Sequence, residues 1–367
     1  VAGLLSIFSL AQAATDTEAA PATALWIILA IGGVIVLAVA LVVMIARYLR
    51  IAVNLFLDTP LPVTANLHDY EPPQGEIVSF PSFEGRRLRG MFIDRPSRAV
   101  AGQAMAGEGR PPGLAERGTV IFCHEFGSDM MSAGRYAWPL VQAGYTVFTF
   151  DFRGHGGSFT PPHFEARHWP SSHDVNDILA AVAYVQNHRD IGARGLGILG
   201  ISRGASAAVV AAAVNPVIKC LVLDGVYSTD YSIDELMKRW VQIFVRVDLA
   251  WADRTASTYK FFRALILFYV ELKCRCRFPS ARRALTKLDS TPVLFVHGER
   301  DAYVPPQQTR VLCDLKRGAK DIWICPDAKH NQAVATDPPT YARKITEFFD
   351  RYLWGGTDAG SPRQAAG

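Results

Sequence analysis

The fold is decided by Leu196-Gly197-Ile198-Leu199-Gly200-Ile201-Ser202-Arg203-Gly204-Ala205-Ser206-Ala207. The apolar run rich in Ile and Leu reads as a buried strand, and the small, Ala-rich run after Gly204 reads as a helix. Between them the chain must turn sharply. Such a turn holds Ser202 in a strained conformation with its hydroxyl presented. Gly200 and Gly204 are small because strand and helix pack closely on either side. A Gly-x-Ser-x-Gly match is weak by itself, so its context must carry it.

Two further stretches supply that context. Pro292-Val293-Leu294-Phe295-Val296-His297-Gly298-Glu299-Arg300-Asp301 is a short apolar strand running into a loop with an acid. Asp321-Ile322-Trp323-Ile324-Cys325-Pro326-Asp327-Ala328-Lys329-His330-Asn331 is another strand, running into a loop with a histidine. The order Ser…Asp…His, with Phe150–Ser158 and the His297–Pro305 and Lys329–Asn331 segments, resembles the α/β-hydrolase superfamily over roughly residues 73 to 354. Within it the chain looks most like the serine-aminopeptidase-like and membrane-anchored lipase/thioesterase branches.

The resemblance implies an α/β fold. Its sheet is mostly parallel with helices on both faces, and a helical cap is inserted near the end. It makes Ser202 the nucleophile, His330 the base and Asp301 the acid that orients the imidazole. Asp327 also lies close to His330 in sequence and competes for the acid role. The stretch His124-Glu125-Phe126-Gly127-Ser128 stands where relatives carry a His-Gly-x loop. Matched residue by residue, the oxyanion donors are the backbone N–H groups of Phe126 and Arg203. Glu125 replaces a usual Gly, and Gly tolerates backbone angles that Glu does not. Lys329 replaces a more usual small residue at the mouth of the site. Neither a metal nor an organic cofactor is implied.

Composition fits one large α/β domain with additions. The chain has 367 residues, half of them hydrophobic, and a net charge of +4, which gives no reason to expect a nucleic-acid partner. Of the six cysteines, Cys123, Cys220 and Cys325 lie in or beside apolar runs and read as buried free thiols. His155, His163, His168 and His173 lack ligand spacing and read as loop residues.

Residues 1–24 end a mildly apolar run at Ala11-Gln12-Ala13, compatible with a cleaved signal or with a disordered or membrane-associated start. Leu25 to Ala46 carries no charge and is long enough to cross a bilayer. Asp16 and Glu18 precede it, and Arg47 and Arg50 follow it, which places the C-terminal part in the cytoplasm. Residues 47–73 read as a juxtamembrane linker.

The hydrolase-like core is expected over 74–225 and 286–354. Glu76–Pro81 and Leu88–Asp94 read as an opening hairpin. Ser97 to Gly118 reads as a flexible surface insertion. Asp174 to Gln186 has crossover-helix spacing, Lys219–Asp224 is a further strand, and Tyr341 to Leu353 closes the core as a helix. Residues 226–285 interrupt the alternation and read as the cap. There the apolar run Phe261–Leu272 precedes Lys273, Arg275, Arg277, Arg282 and Arg283. This pattern suits either an anionic membrane surface or a packed cap helix with a solvated basic end. Residues 355–367 read as a disordered tail.

The expected chemistry is acyl transfer to Ser202 followed by hydrolysis, since the hydroxyl becomes nucleophilic only as a base removes its proton. Membrane anchoring and a greasy cap favour a lipophilic acyl ester or thioester as substrate and the lipid bilayer as partner. A peptidase or amidase shares the same fold and triad. A non-catalytic membrane-tethered scaffold is the competing class, with Glu125 as its one encouragement. Oligomeric state is not legible.

Overall fold

Eight short apolar runs become the strands of one sheet in the computed structural model, which describes residues 2–58, 70–94, 117–162, 164–189, 191, 195–245 and 256–354. They are β1 (Glu76–Pro81), β2 (Arg87–Ile93), β3 (Thr119–Cys123), β4 (Thr146–Phe150), β5 (Leu196–Ile201), β6 (Ile218–Asp224), β7 (Val293–Gly298) and β8 (Lys320–Cys325). Their order across the sheet is β1-β2-β4-β3-β5-β6-β7-β8. The β1–β2 hairpin is antiparallel and joins β4 antiparallel through β2; every other pairing is parallel.

The central strands β3, β4, β5 and β7 are buried along their whole length, because parallel strands need helical cover on both faces. Alternation along each strand divides the core. Ile121, Ile198, Val293 and Phe295 face one layer. That layer is built from α3 (Ser172–His188), α4 (Arg203–Ala212), α7 (Ala281–Leu285) and α8 (Pro306–Leu315). Val120, Leu199, Leu294 and Val296 face the other, formed by α2 (Trp138–Ala143) and α9 (Pro338–Phe349). The mostly parallel, doubly covered sheet is the one expected. Between β6 and β7 lie α5 (Thr229–Val245), α6 (Ala256–Cys274) and α7, where the cap was placed.

The chain divides into two compact units, Val1–Thr59 and Pro60–Gly367. The first is a single helix, α1 (Ala2–Asp58). It begins earlier and ends later than the expected span. Arg47 to Asp58 contains neither Gly nor Pro, so nothing stops the helix at the arginines. Its stretch Ala24–Leu57, whose most apolar 18-residue window has a mean hydropathy of 3.2, is long and apolar enough to cross a membrane. Residues 59–69 of the expected linker, 95–116 of the surface insertion, 246–255 between α5 and α6, and the tail 355–367 lie outside the described residues.

Candidate active site

The two glycines of the β5–α4 turn answer to two close approaches. A Cβ on Gly200 would meet the Ala205 Cα at 2.6 Å, and one on Gly204 would meet the Cys123 carbonyl oxygen at 2.2 Å. The first lets α4 fold back on β5. The second lets the start of α4 press against the end of β3. Ser202, between them, is forced to φ 52°, ψ −112°, a conformation that costs a non-glycine residue on the order of 1–3 kcal/mol. Its N–H donates to the Asp224 carbonyl at 2.7 Å, which ties the strained residue to the end of β6.

From there a chain of hydrogen bonds crosses three strand ends. The Ser202 hydroxyl lies 2.9 Å from His330 Nε2, and His330 Nδ1–H donates to Asp301 Oδ2 at 2.5 Å. With Nδ1 carrying the proton, Nε2 is free to accept from the hydroxyl. The other carboxylate oxygen of Asp301 accepts the N–H groups of Tyr303 and Val304, each at 2.9 Å. Burial alone would raise the Asp301 carboxyl. Hydrogen bonds from His297 and His330 outweigh it and hold the carboxyl well below the usual range. Asp327, the sequence's competing acid, is turned away: it is exposed and paired with Arg300 at 2.5 Å.

Sequence reasoning missed three supports of this array. His297 Nε2 lies 3.1 Å from Asp301 Oδ2, while its Nδ1 meets the Thr309 hydroxyl of α8 at 2.8 Å. Gly225 (φ 66°) leaves room for the histidine loop, since a Cβ there would meet Asn331 Oδ1 at 2.6 Å and His330 Cε1 at 3.1 Å. The third is Asp224. It is fully buried, neither carboxylate oxygen has a hydrogen-bond partner among the described residues, and burial pushes its carboxyl up to about 7. Asp224-Gly225 after an apolar strand was the only available signal, and it looks like any strand end.

The loop after β3 sits against the start of α4, as the Gly204 contacts require. Arg203 is the first residue of α4, so its N–H has no carbonyl to bond within the helix and points out at the N-terminal end. Phe126 is the neighbour on the loop side; its ring lies 5.6 Å from the Arg203 guanidinium. Replacement of Gly by Glu125 does not distort this loop, because the left-handed step falls on Gly127 (φ 76°) and not on Glu125. Glu125 instead turns inward. Burial raises its carboxyl, which lies 3.4 Å from the Ser132 hydroxyl and 3.5 Å from that of Tyr136. His124 braces the loop, donating from Nδ1 to the Glu125 carbonyl at 2.7 Å and accepting the Phe152 N–H at Nε2.

The Arg203 side chain has a place of its own. It is buried over Phe152 at 5.0 Å, with Asp174 Oδ1 at 3.5 Å and His155 Nε2 at 3.4 Å. Burial, with the Arg203 charge behind it, lowers His155 to about 4. Asp151 and Arg153 are bound up in holding their loop. Asp151 accepts the N–H groups of Met130 and Gly157, and Arg153 pairs with buried Asp177 at 2.7 Å. Lys329 is exposed beside the histidine loop. Among the described residues no His, Cys, Asp and Glu side chains group as metal ligands.

Ser202 is only 2% exposed, so the hydroxyl is shielded from bulk water. A cleft of about 390 Å³ opens between the Phe126–Asp129 turn and the Gly154–Gly156 turn. Neither Ser202 nor His330 lines it; it flanks the site on the side of the Phe126 loop.

Residues 120–344 match a profile described as the alpha/beta hydrolase family. The chain belongs to that family. Among curated proteins it is 27% identical to the uncharacterized protein YqkD of Bacillus subtilis over 63% of this chain and 71% of that one. It is 26% identical to the uncharacterized protein YfhR of Salmonella typhi, over 78% and 83% of the two chains. Among solved structures, the Pyrococcus furiosus esterase Pf2001 superposes with a TM-score of 0.53 at 19% identity, covering 80% of this chain and 97% of that one. The hypothetical protein PA2218 of Pseudomonas aeruginosa does so at 0.51 and 19% identity, over 80% and 99%. At these identities the likeness is one of fold.

Proposed function

We propose that this alpha/beta hydrolase is a membrane-anchored serine hydrolase that cleaves a lipophilic acyl ester or thioester. The observation that carries the reading is the unbroken line Ser202 Oγ, His330 Nε2, His330 Nδ1, Asp301 Oδ2, starting from a serine held at φ 52°. As the hydroxyl attacks the acyl carbonyl, its proton passes to Nε2, and the imidazolium is held by the ionised Asp301. The N–H groups of Arg203 and Phe126 receive the oxyanion, with the N-terminal end of α4 adding a favourable dipole. The protonated His330 then gives its proton to the leaving group. Water, deprotonated by the same nitrogen, releases the acid and restores Ser202.

The lipophilic preference comes from location and surface. α1 is read as a membrane span, and Arg47 and Arg50 after its charge-free stretch favour a cytoplasmic catalytic unit. The helices α5 and α6 are read as a cap, α7 being packed into the core layer. Gly127, not Glu125, takes the left-handed angle, which favours the catalytic reading over the scaffold.

The test is fluorophosphonate labelling of the detergent-solubilised full chain beside Ser202→Ala. Labelling of the wild type that disappears in the folded variant supports an activated serine, and an ester, thioester and amide screen then separates lipase-like from peptidase-like activity. A well-folded wild type that takes no label overturns the proposal.

A further inference from the structure

Helix α6 is apolar on the wrong side for a helix that merely covers a core. Phe261, Phe268 and Leu272 expose 61, 59 and 67% of their surface. At about 100° per residue the three fall within an arc of about 40° along the helix. Tyr269 adds to its edge at 47%. The opposite side buries Ile266 and Val270 and also Arg263, whose guanidinium pairs with Asp234 of α5. An ordinary cap helix keeps its charge outside and its aromatics inside. Here the aromatics are outside, and one arginine is inside.

Among the described residues of α6 and its C-terminal end, the exposed charged side chains are all cations. Lys260 and Lys273 are exposed and lie on either flank of it, and Arg275 and Arg277 are exposed where the helix ends. The one acid of α6 is Glu271, which is engaged by the Arg277 guanidinium at 2.6 Å and the Phe278 N–H at 3.0 Å. Aromatics at the centre with lysines at the flanks are the arrangement of a helix lying in a bilayer interface, where the apolar side chains enter the acyl boundary and the ammonium groups meet headgroup phosphates.

We infer that the exposed face of α6 docks on an anionic bilayer surface, with Phe261, Phe268 and Leu272 inserted and Lys260, Lys273 and Arg275 on the phosphates. The occupant is argued from charge and from the rest of the chain. A second copy would meet the stripe with the same cations and, among the described residues of α6, only the already paired Glu271, which repels an isologous pair. A bilayer carries the complementary charge, and α1 provides 34 residues apolar enough to keep the chain at one. The inference rests on the reading of α1 as a membrane span and deepens the proposed function. A docked α6 gives a substrate with a bilayer-buried tail a path that never crosses water.

The experiment is photocrosslinking of the full chain in proteoliposomes. p-Benzoylphenylalanine replaces Phe268 in one sample and Val214, 64% exposed at the end of α4, in a control. Vesicles are phosphatidylcholine alone or mixed with phosphatidylglycerol. The expected result is a phospholipid adduct at position 268, several-fold stronger with phosphatidylglycerol, and little adduct at 214. A crosslinked dimer at 268, equal adducts at the two positions, or no adduct at 268 overturns the inference. Alkaline carbonate extraction of the unmodified chain reads the α1 span separately: release from the membrane defeats the span whatever position 268 reports. A second variant, Phe268→Ser with Leu272→Ser, is expected to keep its fluorophosphonate labelling and hydrolysis of a water-soluble ester. It should lose several-fold in rate on an ester embedded in vesicles. An equal rate on the embedded ester overturns the docking.

Discussion

Asp301 and Asp224 lie at neighbouring strand ends, and their surroundings push them in opposite directions. Asp301 receives two backbone N–H groups and two imidazoles, and its folded pKa lies below the unfolded value of about 4. Its contribution to stability is therefore present above about pH 4 and is lost only as pH falls through the lower folded value. Asp301→Asn keeps the shape but offers His330 an amide in place of an anion. Fluorophosphonate labelling of this variant should slow by about 10⁴-fold while thermal melting at neutral pH confirms a folded chain. A loss of less than tenfold would remove Asp301 from the array. For Asp224 the sign reverses. Its carboxyl is raised to about 7, so the unfolded chain ionises first and the native state loses stability between about pH 4 and pH 7. Asp224→Asn should accordingly stabilise the protein at pH 8 by about 1 kcal/mol or more, with the gain fading toward pH 4. Urea unfolding at the two pH values checks it; an equal effect at both would mean that Asp224 is ionised in the native state.

The turn from β5 into α4 is where residue types are dictated most tightly by the element around them. Gly204→Ala would drive a methyl group into the Cys123 carbonyl at 2.2 Å, and backbone cannot step aside as a side chain can. The variant should lose at least about 2 kcal/mol and its serine labelling together, because the same contact seats the Arg203 N–H beside the Phe126 loop. Gly85→Ala is the contrast. In the β1–β2 turn its φ is 71° but nothing lies within 4 Å of a new Cβ, so only backbone strain of about 1 kcal/mol is expected, with labelling intact. Melting temperatures and labelling of the pair separate close packing from conformational strain. The same contrast explains what the sequence discloses. Strand β5, its turn and α4 are legible because chemistry and packing there admit few residues. Ser202, Asp301 and His330 are legible for the same reason, each lying in the turn or loop that follows an apolar strand. Helix α8 is not, since Pro306-Gln307-Gln308-Thr309-Arg310 is polar and only Thr309 and Gln308 turn inward. The buried seat of the Arg203 side chain among Phe126, Phe152 and Asp174 also depends on two loops and the first turn of α3, all distant in sequence, and no local pattern announces it.

At the scale of the whole chain, the arrangement that matters is one long apolar helix and one hydrolase-fold unit, Val1–Thr59 and Pro60–Gly367. The uncharged stretch Leu25 to Ala46 alone covers about 33 Å at 1.5 Å per residue, which matches a hydrocarbon core of about 30 Å. Helix length does not discriminate orientation; charge does. Arg47 and Arg50 are costly to translocate, whereas Asp16 and Glu18 on the other side offer little resistance. The hydrolase unit should thus be on the cytoplasmic side, where the free thiols Cys123, Cys220, Cys313 and Cys325 stay reduced without a disulfide framework. Protease added to intact bacterial spheroplasts is expected to leave the C-terminal unit whole, and the same protease added to inverted vesicles should digest it. Replacing both Arg47 and Arg50 with Gln should produce a mixture of the two behaviours, since the charge asymmetry that fixes the direction is then gone. Digestion of the wild-type unit from outside the spheroplast would reverse the orientation and move its substrate to the opposite leaflet.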